Sequence, residues 1–125
     1  MKLLLDSHVL VWFLSDPGRL RPETVEILRD RSHTAYYSPA SVWELEIKRK
    51  SGKLILPESW WPEVADLGFG ELPIATRHAV LAARLPPHHQ DPFDRMLVAQ
   101  SLEEACCLVS RDAVMDLYRV PLWKA

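Results

Sequence analysis

The chain opens on Lys2-Leu3-Leu4-Leu5-Asp6, an apolar run without alternation that ends on a carboxylate. A strand covered on both faces reads this way, because neither side of it meets water. From Ser7, the stretch His8-Val9-Leu10-Val11-Trp12-Phe13-Leu14 continues as a mostly buried helix and is stopped by the turn residues Asp16-Pro17-Gly18. Strand followed by helix is the first unit of an α/β fold.

The alternation continues along the chain. Pro22 starts a short amphipathic helix through about Arg31, carried by Val25, Ile27 and Leu28, and Ala35-Tyr36-Tyr37 is a brief β-prone run. Ser38 supplies an N-cap with Pro39 in the first helical position, launching Ala40 to about Lys50, with Gly52 closing the helix. Pro57 to Gly70 carries Trp60, Trp61, Val64 and Leu67 at helical spacing. Leu72-Pro73-Ile74 predicts a short edge strand, since proline cannot donate to a central ladder. Thr76 is set to cap a helix carrying Ala79, Val80, Ala83 and Leu85, which Pro86-Pro87 stops. Asp91-Pro92 begins the next helix, through Leu102. Cys106 to Val109 is a second apolar strand leading to Asp112, and Val120-Pro121-Leu122-Trp123 a last edge strand. The pattern predicts an α/β fold, a single α/β/α sandwich around a mainly parallel sheet, as one domain over residues 1–125.

Composition agrees. A chain of 125 residues encloses one core, and 48% apolar with 26% charged residues is the balance of an ordinary globular protein. Asp6, Ser7 and His8 break the N-terminal apolar run, so it lacks the continuous core of a secretory signal, and no later run approaches the ~18 residues of a membrane span. The expected location is cytoplasmic, with no membrane partner. Cys106 and Cys107 are neighbours in an apolar run and read as two buried thiols rather than a disulfide framework or zinc site. A net charge of −2 gives no global positive field, so a nucleic-acid partner would need a local basic rim.

In open parallel sheets ligands collect beyond the carboxyl ends of the strands, at the switch in strand order. Asp6 and Asp112 follow two predicted strands and share that edge if the strands are neighbours. Helices that begin there add Asp91 and Asp94, and Glu44 lies on the second turn of its helix. Carboxylates crowded together repel one another unless a cation neutralises them. All-oxygen ligation suits Mg²⁺ or Mn²⁺, and such an ion supports hydrolysis of a phosphodiester. Plainer roles stand beside these. Asp91 and Asp94 fit a helix cap, Glu44 fits a partner of Ser41 or a solvated helix position, and Asp112 fits the cap of a short helix, with Asp116 a substitute acid one turn later. Arg95 and Arg111, each next to a proposed ligand, are candidates to steady a phosphate. His88-His89, just before Asp91, could approach a metal or phosphate but, beside two prolines, reads first as an exposed loop, and His8 reads as a polar core or rim residue. Lys48, Arg49, Lys50 and Lys53 could contact the phosphates of a nucleic acid, and they also complement the negative end of their helix, the plainer reading. The tryptophans read as core or interface anchors.

Taken together, Leu3 to Trp12, Ser38-Pro39-Ala40-Ser41-Val42-Trp43-Glu44-Leu45, His89-Gln90-Asp91-Pro92-Phe93-Asp94-Arg95 through Gln100, and Leu108-Val109-Ser110-Arg111-Asp112 resemble the PIN-domain family, specifically VapC-type toxins of bacterial toxin–antitoxin pairs. The segments stand in the family's order over nearly the whole chain, and Asp-Pro-Phe-Asp-Arg is the most specific. The resemblance implies metal-dependent endoribonuclease activity with Asp6, Glu44 and Asp94 as the acidic core, Asp112 as fourth carboxylate and Asp91 as an auxiliary acid. Ser7 and Ser110 stand where threonine is more usual, and both keep a hydroxyl. The resemblance also implies a homodimer and inhibition by an antitoxin that covers the site. Two rivals remain. A phosphoacceptor signalling domain needs an acidic pair after the first strand, where this chain has Ser7 and His8, and an idle interaction module would not need all four carboxylates.

Overall fold

In the computed structural model, which describes residues 1–125, five short strands make one sheet: β1 (Lys2–Leu5), β2 (Thr34–Tyr37), β3 (Gly70–Glu71), β4 (Cys107–Ser110) and β5 (Leu122–Lys124). Every neighbouring pair is parallel, and the spatial order is β3-β2-β1-β4-β5. The chain leaves central β1 to one side to build β2 and β3, then returns on the other side for β4 and β5. The switch in direction therefore lies at β1 and β4, whose carboxyl ends carry Asp6 and Ser110.

Six helices connect and cover the strands: α1 (Ser7–Ser15), α2 (Pro22–Arg29), α3 (Pro39–Lys50), α4 (Trp60–Asp66), α5 (Thr76–Arg84) and α6 (Pro92–Glu104). Successive strand side chains alternate between faces. Leu3 and Leu5 pack with Val9, Leu10, Leu45, Trp60 and Val64, while Leu4 packs with Leu97, Val98, Leu108 and Met115. All three β1 leucines are fully buried. This explains the run without alternation, since both faces of β1 are core. No helix is long and apolar enough to cross a membrane.

Several boundaries differ from the sequence expectation, mostly where a backbone donor is missing. The edge strand is Gly70–Glu71 rather than 72–74: the Leu72 N–H still reaches the Tyr37 carbonyl at 2.8 Å, but Pro73 has no N–H to extend the ladder. The last strand likewise begins at Leu122, after Pro121, whose carbonyl accepts from the Leu108 N–H at 2.8 Å. α4 is shorter than 57–70, because the chain turns left-handed at Gly68, φ 82°. Thr76 is the first helical residue of α5 rather than its cap; the His78 ring instead folds back to accept the Ala75 N–H at 2.8 Å. Cys106 is fully buried but Cys107, on the opposite face of the strand, is half-buried.

Candidate metal centre

The acids converge through elements remote in sequence. The Asp6 N–H donates to the Val109 carbonyl at 3.0 Å, carrying the β1–β4 ladder one residue past the strand and fixing Asp6 beside Ser110. Asp6 then turns into α1 as its N-cap, with Oδ1 accepting the His8 N–H at 2.8 Å. Its other oxygen, Oδ2, accepts from the Ser110 hydroxyl at 2.9 Å. Asp6 is only 5% exposed. Burial alone would raise its pKa, but hydrogen bonds from the His8 side chain, the His8 backbone and Ser110 outweigh it and hold the carboxyl below its ordinary value. The same contact raises the His8 pKa. That ring, largely exposed, stacks on Trp12 at the rim.

Glu44, 8% exposed on the second turn of α3, accepts from the Ser7 hydroxyl at 2.6 Å and lies 3.4 Å from the Lys48 ammonium one turn on. It makes no capping box with Ser41; the cap of α3 is Ser38, whose oxygen accepts the Ala40 N–H at 3.1 Å. Asp91 caps α6, with Oδ1 accepting from the Phe93 and Asp94 N–H groups at 2.8 and 3.3 Å. Asp94, one turn into α6, projects into the same recess. Burial first, then the negative charges of Asp6 and Asp91, push its pKa up to about 7, against the pull of His89, with Glu44 adding to the rise. Asp112 caps the 3-10 turn Ala113–Tyr118 through Oδ1, which accepts the Val114 N–H at 3.0 Å, and leaves Oδ2 to the site. Asp116 faces Lys124 at 3.2 Å instead.

His89 is the residue that pattern reading placed in solvent and the structure places inside. Its Nε2 lies 2.9 Å from Asp112 Oδ2 and 3.2 Å from Asp94 Oδ2, with the side chain 18% exposed. One ligating atom each from His89, Asp94 and Asp112 all lie within 4.8 Å of one another, a spacing that could hold one ion. His88, by contrast, packs edge-on against Tyr118 outside the recess. A signal was available in the sequence: His89 sits two residues before the Asp91 cap, in the loop that enters the site edge.

The arginines correct the sequence expectation. Arg95 turns both terminal nitrogens of its guanidinium to the carbonyls of Ala82, Leu85, Pro86 and His89 at 2.8 to 3.2 Å, so these donors serve the α5–α6 connection rather than a phosphate at the acids. Arg111 donates to the carbonyls of Arg19 and Ala125 and lies over the Trp12 ring at 4.7 Å. Arg49 is held by Glu46 and the Pro57 carbonyl. The basic groups beside the acids are thus Lys48, against Glu44, and the His8 ring, against Asp6.

The carboxylates outnumber these groups, and Asp6 and Glu44 are almost fully buried. Such a set could hold a positive ion. Its oxygen-rich donors and the raised Asp94 pKa fit a hard divalent cation.

A family model described as PIN domain matches residues 3–121. The chain is 28% identical over 123 residues to Ribonuclease VapC22 of Mycobacterium tuberculosis, a match covering 95% of this chain and 93% of that protein. Among solved structures, the fold is similar to that in VapBC2 from Rickettsia felis bound to a DNA fragment from its promoter, with TM-score 0.74 and 14% identity over 99% of this chain and 98% of the other. It is also similar to that in DNA-bound VapBC from Salmonella typhimurium, with TM-score 0.70 and 16% identity over the same shares, 99% and 98%.

Proposed function

The chain belongs to the PIN domain family, and from that footing we propose that it is an endoribonuclease that hydrolyses RNA phosphodiester bonds with Mg²⁺ or Mn²⁺, as the toxin of a toxin–antitoxin pair. The observation that supports the reading is the set of links at the switch point of the sheet: Ser110 joins Asp6 to Asp112, ligating atoms of Asp94 and Asp112 lie within 4.8 Å of each other, and Asp94 feels the charges of Asp6 and Glu44. The curated relative named a ribonuclease matches nearly the whole chain, which supports RNA as the substrate class.

In this reading Asp6, Glu44, Asp94 and Asp112 hold the cation, and Asp91 shapes the entry to α6 as an auxiliary acid. Bound there, the cation supplies Lewis acidity at a phosphoryl oxygen and lowers the pKa of attacking water. The chain's own part is arrangement. Ser110 fixes one oxygen of Asp6 and accepts the Asp112 N–H at 3.1 Å, so one hydroxyl registers two acids from β1 and β4. Ser7 does the same for Glu44. Asp94 must give up its proton before it can ligate. Lys48, beside Glu44, remains near enough to the recess to meet an incoming phosphate.

The reading includes an antitoxin that covers this recess, in line with the VapBC assemblies that share the fold. It also includes a homodimer, supported by Trp43, 66% exposed, which forms with Pro39, Ile74, Phe93 and Met96 an apolar cleft of about 430 Å³. A monomer mass for the isolated chain in sedimentation would contradict that part. The activity is tested by incubating purified protein with structured RNA and Mg²⁺ or Mn²⁺. Cleavage is expected to stop in excess chelator and in Asp6→Asn and Asp94→Asn; cleavage that persists in either case overturns the reading.

A further inference from the structure

His89 meets the acidic recess in a way that the four-carboxylate reading does not use. Its two ring nitrogens have different partners. Nδ1 lies 3.1 Å from the Asp91 backbone nitrogen, whose hydrogen it accepts. A backbone N–H has no alternative role; it can only donate. Nδ1 must therefore present a lone pair, and the ring proton sits on Nε2. That nitrogen faces Asp112 Oδ2 at 2.9 Å and Asp94 Oδ2 at 3.2 Å, both acceptors. The Asp91 N–H is itself held by the α6 entry, because the Asp91 side chain caps the helix through the Phe93 and Asp94 N–H groups.

Spacing alone would make His89 a nitrogen ligand beside Asp94 and Asp112. The hydrogen bonds argue otherwise. A metal-ligating imidazole nitrogen needs a free lone pair, and its other nitrogen ordinarily donates a proton to an acceptor. Here the outer nitrogen accepts, so Nε2 keeps its hydrogen and offers no lone pair. We infer that His89 is a positioning residue: through Nε2–H it bridges the Oδ2 atoms of Asp94 and Asp112 and so fixes the orientation of the two carboxylates toward each other, and it does not bind the cation itself. The inference rests on the metal-site reading given above. It assigns to one loop histidine the joining of α6 to the end of β4, as Ser110 joins β1 to β4.

The test separates ligation from positioning. In protein labelled with ¹⁵N-histidine, with His89→Gln used for assignment, His89 is expected to show an unprotonated Nδ1 and a protonated Nε2, both without metal and in saturating Mg²⁺. A protonated Nδ1, or loss of the Nε2 proton when Mg²⁺ is added, overturns the inference. In the Mn²⁺ complex, pulsed electron paramagnetic resonance is expected to show no directly bound imidazole nitrogen that disappears in His89→Gln; such a signal overturns it. Calorimetric Mn²⁺ affinity is expected to fall about 10- to 100-fold in His89→Ala, the usual loss for an outer hydrogen-bond partner, and to be largely rescued in His89→Gln, whose amide can donate near the Nε2 position. Unchanged affinity in His89→Ala contradicts the assignment. Failure of the wild-type protein to bind Mn²⁺ at all would instead overturn the metal-site reading, while the tautomer of metal-free protein is measured independently of it.

Discussion

At the scale of single residues, Asp94 is the group whose chemistry sets the pH response. Its folded pKa of about 7 lies above the ordinary 3.8. Between these values the native state keeps a proton that the unfolded chain has released, so the native state binds more protons and stability falls as pH rises. Metal-free protein is expected to lose thermal stability from about pH 4 to pH 7 and to level off above. Asp94→Asn should flatten that slope, as melting curves across the range would show; a slope unchanged in the variant contradicts the assignment. Proton and cation compete for the same carboxylate. Mn²⁺ affinity in the wild-type protein is therefore expected to climb up to about tenfold per pH unit below pH 7, for one displaced proton, and flatten above it. Ser110 acts at the same scale. Fully buried, it donates to Asp6 and accepts from the Asp112 N–H. Ser110→Ala strands both partners and should cost about 1–3 kcal/mol in chemical denaturation, with weaker metal binding, whereas Ser110→Thr keeps the hydroxyl and should retain both.

At the scale of elements, the strands and helices were legible wherever apolar periodicity and caps coincided. β1 and β4 announce themselves as short apolar runs ending at acids, and α3 and α6 as a cap followed by proline. Boundaries shifted where a local donor decided them, as at Pro73 and Pro121. Arg95 was misplaced for a different reason. Its neighbour Asp94 faces the recess, but successive helix residues point about 100° apart, and Arg95 instead ties the end of α5 to the start of α6 through carbonyls that no sequence pattern marks. Arg95→Gln removes both the planar fork and the charge. It is expected to lower stability by about 1–3 kcal/mol and leave the salt dependence of RNA binding unchanged; a shallower salt slope at unchanged stability would restore Arg95 to the phosphate.

At the scale of the whole molecule, the site exists only through topology. Asp6 and Asp112 lie 106 positions apart in numbering, and become neighbours because β4 returns beside β1. The rule that ligands gather at the switch point allowed that edge to be named from sequence. Glu44 and Asp94 enter from helices launched at the same edge. What the sequence ranked second was the inward place of His89, because a histidine beside two prolines carries no periodicity, and only the docking of its loop against Tyr118 and Asp112 turns it inward. The resulting molecule concentrates buried negative charge at one point of a nearly neutral surface, and that concentration is what the account asks a cation to relieve. The most direct measurement is anomalous diffraction from crystals soaked in Mn²⁺. The account predicts a peak within coordination distance of carboxylate oxygens of Asp6 and Asp94, lost in Asp94→Asn; wild-type crystals without manganese density in that recess would contradict it.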